Sequence, residues 1–202
     1  MSIVLSLVAI LICYIVGAIP TGLLVGKYLG GINVLEHGSK NIGMTNVWRL
    51  LGWKLGMLTL VIDAGKAYLV VAFAPQIAGG AGFPYLMVWC ALGALMGNFF
   101  NVFLNWKGGK GIATSLGVFL ALAPIPILLA LAGFLVMLGL TRYVSVGSIT
   151  GALVLGSTAF VFADLPTAIV TAVISIIAIW KHKANIQRLM NGTENKVGKK
   201  KA

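Results

Sequence analysis

Predominantly apolar stretches long enough to cross a bilayer recur along the chain, around residues 3–26, 52–74 and 83–104. A spanning helix needs about 20 such residues. Of 202 residues 59% are hydrophobic and 9% charged, where a soluble domain carries about a quarter charged. No water-soluble fold covers that much apolar side chain, so the fold expected is an all-α, polytopic integral membrane helix bundle. The stretch 112–180 is interrupted by Pro124 and Pro126, by Arg142, and by Asp164 with Pro166. Reading each interruption as a boundary adds spans near 112–123, 125–140, 144–162 and 166–180, seven in all.

Charge placement tests that count, because basic residues collect on the cytoplasmic side of membrane proteins. Fifteen Lys and Arg stand against four acids, a net charge of +11. Seven spans put Lys27, Lys40, Arg49 and Lys54, then Lys107 and Lys110, then Arg142, then the tail from Lys181 to Lys201 on one face. The loops near 75–82, 123–126 and 163–166 fall on the other, with Asp164 as their only charge. The N-terminus is therefore expected outside and the C-terminus inside. With no basic region before the first apolar stretch and no clear cleavage site, that stretch reads as a retained anchor. The organisation expected is one membrane-embedded domain over 1–202, with 195–202 a flexible basic tail drawn to anionic lipid. Spans 112–123 and 166–180 reach only about 18 and 22 Å against a core of about 30 Å. Helices that short imply thinned bilayer or helix ends buried around a cavity open to the cytoplasm. Cys13 and Cys90 lie inside apolar runs and read as small buried hydrophobes rather than a disulfide.

Three polar segments fall on the basic face. Gly38-Ser39-Lys40-Asn41-Ile42-Gly43-Met44-Thr45-Asn46 with Arg49 combines hydroxyls, amides, glycine-freed N–H groups and two cations. That is the chemistry of an oxyanion receptor. Lys107-Gly108-Gly109-Lys110-Gly111 opens directly into a helix at Ile112. Paired glycines let backbone wrap an anion, and the helix N-terminus adds partial positive charge. Taken alone this segment is equally compatible with a basic turn that sets topology. It is not a P-loop, which needs Ser or Thr after the Lys and a strand before the motif. The third segment runs from Trp180 to Glu194. On a continued helix His182 and Asn185 share a face and can address one ligand, and Gly192 caps the helix.

Asp63 and Lys66, three apart inside a span, are spaced to form an ion pair, either purely structural or bracing the first two polar segments. Arg142-Tyr143 reads as an interfacial anchor. Two His, four acids and two lipid-buried Cys assemble neither a zinc site nor a Cys–His pair, so neither metal nor cofactor is expected. The His-x4-Asp motif of glycerolipid acyltransferases is absent, since Ile42 stands five positions after His37 and Gln187 five after His182.

These segments resemble the acylphosphate:glycerol-3-phosphate acyltransferases of bacterial membranes (the PlsY type). The signature stretches look like Gly-Ser-x-Asn-Ile-Gly-x-Thr-Asn-x-x-Arg at 38–49, Lys-Gly-Gly-Lys-Gly-x-Ala-Thr at 107–114 and His-x-x-Asn-x-x-Arg-Leu at 182–189. Ile19-Pro20-Thr21-Gly22, Asp63-x-x-Lys66 and Thr141-Arg142-Tyr143-x-Ser145 also look like that family. The resemblance implies acyl transfer from acyl-phosphate to the 1-hydroxyl of glycerol-3-phosphate in a bacterial cytoplasmic membrane. A soluble enzyme that makes acyl-phosphate is an implied partner; nucleic acid is not. By matching position, Ser39, Thr45, Arg49 and Lys110 would bind phosphate oxygens, with Gly38, Asn41, Gly43, Asn46, Lys107, Gly108, Gly109, Gly111 and Thr114 completing the anion sites. His182 and Asn185 would orient glycerol-3-phosphate or stabilise the oxyanion. Asp63, Lys66, Arg142, Ser145, Arg188 and Glu194 would support them. The chain departs from the family pattern at Asn33, Leu35, Lys40, Met44, Asn98 and Asn101.

A small transporter or flippase for phosphorylated metabolites or lipids is the rival reading, since it also wants cations and broken helices. It expects inverted repeats and polarity on both faces. The polarity here is one-sided and no repeat is visible, which favours an enzyme.

Overall fold

The computed structural model describes residues 2–80 and 84–197. Among them the secondary structure is helical, with no strand. The chain divides into two compact units, Met1–Leu122 and Ala123–Ala202. The first holds α1 (Ser2–Ala18), α2 (Thr21–Leu29), α3 (Met44–Leu51), α4 (Trp53–Ala72), α5 (Ala74–Ile77), α6 (Leu86–Phe99) and α7 (Ile112–Leu122), with a 3-10 turn at Val102–Leu104. The second holds α8 (Pro124–Thr141), α9 (Val144–Phe162), α10 (Leu165–Lys181) and α11 (Lys183–Met190).

Four helices are long and apolar enough to cross a membrane, α4, α6 with its 3-10 extension, α8 and α9; the bent pairs α1–α2 and α10–α11 bring the number to six. The eleven-residue α7 is apolar but shorter. Two sequence expectations change. The stretch 3–26 is not one straight span: Pro20 cannot donate to the ladder, so α1 stops at Ala18 and α2 leaves at 42°. Pro124 and Pro126 do not form a loop but occupy the first turn of α8, where a missing N–H goes unnoticed. The lysines at 199–201 lie outside the described residues. Val197 N donates to Arg142 O at 2.9 Å, and the Lys196 ammonium sits 5.1 Å from the Tyr143 ring, so the chain is tied to its unit as far as 197.

Packing in both units runs through glycine. In lipid no hydrophobic force drives helices together, and close backbone approach supplies dispersion contacts instead. Gly17 and Gly97 in the first unit face the Ala94 and Tyr14 carbonyls across α1–α6, so close that a Cβ would overlap them. Gly117 of α7 faces the Ala64 carbonyl of α4 in the same way. In the second unit Gly151 lies over Ala130 between α9 and α8, and Gly156 over Ser175 between α9 and α10. The α8 surface is largely outward, with Ile125, Leu128, Leu135, Val136 and Leu140 exposed, as suits a helix solvated by acyl chains. Cys13 and Cys90 are free and buried.

The glycine seams make a contrast available. Gly97→Ala drives a methyl into the Tyr14 carbonyl and should cost about 1–3 kcal/mol, whereas Gly139→Ala on α8, which meets nothing within 4 Å, should be neutral or stabilising by up to about 1 kcal/mol. Thermal unfolding of the two variants in one detergent measures the difference.

Candidate active site

The first polar segment is organised by one side chain. Asn46, 2% exposed on the first turn of α3, accepts from Ser39 N at 2.8 Å and donates to the carbonyls of Val34 (2.9 Å), Asn41 (2.9 Å) and His37 (3.3 Å). Its amide is therefore spent inside the loop, whose backbone path it fixes. Asn41 Oδ1 accepts from Gly43 N at 2.9 Å, an Asx turn that launches α3. Gly38 and Lys40 are left-handed at φ +61° and +54°, which leaves Gly38, Ser39 and Lys40 exposed. Lys40, a departure from the family pattern, thus stands at a backbone position suited to glycine. Thr45 is half-buried beside Asn46, and Arg49 is exposed one turn on. Asn33, another departure, closes its own turn by accepting from Leu35 N at 3.1 Å.

The second segment is held from below by α6. Gly109 N donates to Asn98 O at 3.0 Å. A Cβ on Gly108 would overlap that carbonyl, and one on Gly111, at φ +74°, would enter the Phe99 ring. Each glycine is thus required by a contact. Asn105 and Trp106 are left-handed at φ +49° and +65°; they turn the chain out of the 3-10 helix. Lys107 is exposed, Lys110 half-buried and Thr114 buried on the first turn of α7. Asn101, fully buried, donates to Ala18 O and accepts from Phe103 N at 2.9 Å.

These two segments meet. A Cβ at Gly109 would stand 3.5 Å from Ile42 Cγ1, so the tip of one glycine loop lies against the middle of the other. A Cβ at Gly22, at the start of α2, would overlap the Ile42 carbonyl. Two cation-bearing loops that the sequence separates by some sixty residues share one corner of the first unit.

The third segment belongs to the second unit. The helix does not continue through it: α10 ends at Lys181 and α11 leaves at a 50° bend centred on His182. The bend keeps His182 and Asn185 buried, at 3% and 7% exposure. His182 Nδ1 lies 2.8 Å from Ala178 O. A carbonyl only accepts, so Nδ1 carries the hydrogen and Nε2 of the neutral ring is an acceptor. Glu194 gathers the segment: its Oε1 accepts from Asn185 Nδ2 (2.7 Å) and Ser145 Oγ (3.0 Å), and its Oε2 from Arg188 Nε (2.6 Å). Burial pushes this carboxyl up, but the Asn185, Arg188 and Ser145 hydrogen bonds and the Arg188 charge outweigh that and hold it below the usual Glu range. Gly192, at φ +67°, ends α11 as expected. Arg142 is exposed and left-handed at the end of α8. Asp63 and Lys66 pair at 2.7 Å.

A model of glycerol-3-phosphate acyltransferases matches residues 7–192. The chain belongs to the glycerol-3-phosphate acyltransferase family. It is similar to the glycerol-3-phosphate acyltransferases of Trichlorobacter lovleyi, 47% identical over 91% of this chain and 93% of the relative, and Geobacter metallireducens, 49% identical over the same shares. The fold matches a crystal structure of PlsY, an integral membrane glycerol 3-phosphate acyltransferase in its glycerol 3-phosphate form, with TM-score 0.87 and 32% identity over 96% of each chain. A lysophosphatidic acid form matches with TM-score 0.84.

Residue order does not reveal how the loops are built: the hub role of Asn46 and the support from Asn98 and Asn101. The Asx spacing from Asn101 to Phe103 N is the one local signal that was there to read.

Two outcomes follow from the geometry. Lys40→Gly should relieve a left-handed backbone strain of about 1 kcal/mol and raise the melting temperature. Glu194→Gln should cost about 1–2 kcal/mol near neutral pH, the Arg188 share being screened because that side chain is 35% exposed. With its folded value depressed, Glu194 stabilises above the ordinary carboxyl range and loses that stabilisation as pH falls through the folded value. Unfolding scans down to acid pH should show this decline in the parent and a flatter profile in Glu194→Gln.

Proposed function

We propose that the chain transfers an acyl group from acyl-phosphate to the 1-hydroxyl of glycerol-3-phosphate, giving lysophosphatidic acid and inorganic phosphate. The observation that carries this reading is the apposition of Ile42 and Gly109, which sets two glycine-rich, cation-bearing loops side by side. Such a pair suits two phosphates, whose mutual repulsion must be screened before donor and acceptor approach. The PlsY structures that this fold matches are described as glycerol 3-phosphate and lysophosphatidic acid forms, in keeping with this acceptor and product.

The donor carbonyl is already activated and its leaving group is phosphate, so no covalent acyl-enzyme is needed. The acceptor oxygen forms the new ester bond as the carbon–oxygen bond to phosphate breaks. Ser39, Thr45, Arg49 and Lys110 hold phosphate oxygens, and the N-terminus of α7 adds its partial charge. His182, with Nε2 as acceptor, orients the attacking hydroxyl, and Asn185 holds its place beside it through Glu194. The hydroxyl proton passes to a substrate phosphate. By the positive-inside rule, the basic segments support a reading in which that chemistry faces the cytoplasm from a seven-span bundle in a bacterial cytoplasmic membrane, N-terminus outside. A soluble acyl-phosphate-forming enzyme supplies the donor.

Detergent-purified protein given acyl-phosphate and glycerol-3-phosphate should release phosphate. Lys110→Ala and His182→Ala should each slow release roughly ten- to a hundred-fold, the loss of a charge-assisted or orienting contact of about 1.5–3 kcal/mol. Unchanged rates in both variants would overturn the site. Product formed only from acyl-CoA or acyl carrier protein would overturn the donor.

A further inference from the structure

The helix break at Pro20 is bridged by a cation. Lys66 of α4, its side chain 11% exposed, presents an ammonium with three hydrogens. One faces Asp63 Oδ1 at 2.7 Å, one Ile19 O at 2.5 Å and one Thr21 Oγ1 at 2.9 Å. A charge at membrane depth is expensive, and a simpler sequence would satisfy Ile19 with a neutral donor. Thr21 is buried, at 4% exposure, and opens α2. The next residue, Gly22, is pressed against the Ile42 carbonyl, and Ile42 in turn lies against Gly109. One short chain of contacts therefore runs from the buried ion pair through Thr21 to the point where the two anion loops touch.

We infer that Asp63, Lys66 and Thr21 are positioning residues for the anion site: they fix the start of α2, and through it the backbone of Ile42 in the first loop, whose side chain meets the second loop at Gly109. This deepens the acyltransferase reading and rests on it for the identity of the anion, but its own test needs only phosphate. The ion pair does more than neutralise two charges. Asp63 holds the ammonium at the break, the ammonium holds Thr21, and the Thr21–Gly22 step leaves no slack between α2 and the first loop. None of the three needs to touch substrate.

Thr21→Val separates this role from a merely structural one, because it leaves the Asp63–Lys66–Ile19 contacts in place and removes the link to α2. Inorganic phosphate binding, measured by calorimetry on the detergent-purified chain, should weaken about ten-fold in Thr21→Val and recover in Thr21→Ser. With both substrates, KM for glycerol-3-phosphate should rise by a similar factor while kcat changes by less than about two-fold. Lys66→Met should act in the same direction and more strongly; if it does not fold, Thr21→Val still decides. Phosphate affinity equal to the parent's in Thr21→Val would overturn the inference, whatever happens to the melting temperature. So would a parent that binds no phosphate. A parent that binds phosphate tightly, loses it on Thr21→Val and yet does not acylate glycerol-3-phosphate would leave this inference standing and remove the assigned reaction.

Discussion

In hydrocarbon every backbone N–H and C=O needs a partner within the protein, and an orphan costs several kcal/mol. This chain interrupts a helix at Pro20 all the same, and side chains meet the need. The Ala18 carbonyl accepts from Asn101 and the Ile19 carbonyl from Lys66. Those donors come from the corner after α6 and from α4, the elements that also carry the second polar loop and the buried ion pair. The break is therefore tied to the corner where the two polar loops meet by the same groups that make it tolerable. At the other bend, the His182 ring reaches back to the Ala178 carbonyl, so the residue at the bend also supplies the donor for a carbonyl one turn before it.

A second theme is how few side chains set the shape of the polar segments. Asn46 satisfies one N–H and three carbonyls of the first loop. Glu194 collects an amide, a hydroxyl and a guanidinium from α11 and the start of α9. In each case one buried side chain uses nearly all its hydrogen-bonding capacity on its own surroundings, which leaves neighbouring groups held in a fixed geometry. Fixed donors aimed in advance at an anion need no reorganisation when it arrives, which is the electrostatic advantage of a preorganised site over water.

Much of this was legible in the residues. Apolar length and proline placement located the helices of 53–72, 124–141, 144–162 and 165–181 to within a residue or two, because in lipid a helix must run until something polar or cyclic stops it. The Asp63–Lys66 spacing gave the ion pair, and the glycines of 38–43 and 107–111 marked those stretches as polar loops between helices. What the residues did not disclose were relations set by tertiary contact. Nothing in the order of residues says that Ile42 meets Gly109, that Lys66 reaches Thr21, or that Asn46 turns inward while Ser39 stays out. The bend at His182 was missed for a related reason. Its flanks carry neither proline nor glycine, so local propensity favours an unbroken helix.

The outward face of α8 has a practical corollary. Eighteen residues rise about 27 Å, and apolar side chains point away from the protein along nearly all of that length. Acyl chains lie against this surface in the cell. Once the chain is extracted, a micelle whose apolar interior is thinner than the helix would leave Ile125 at one end or Leu140 at the other facing water. Long-chain surfactants or lipid discs are thus the gentler vehicles for handling this protein.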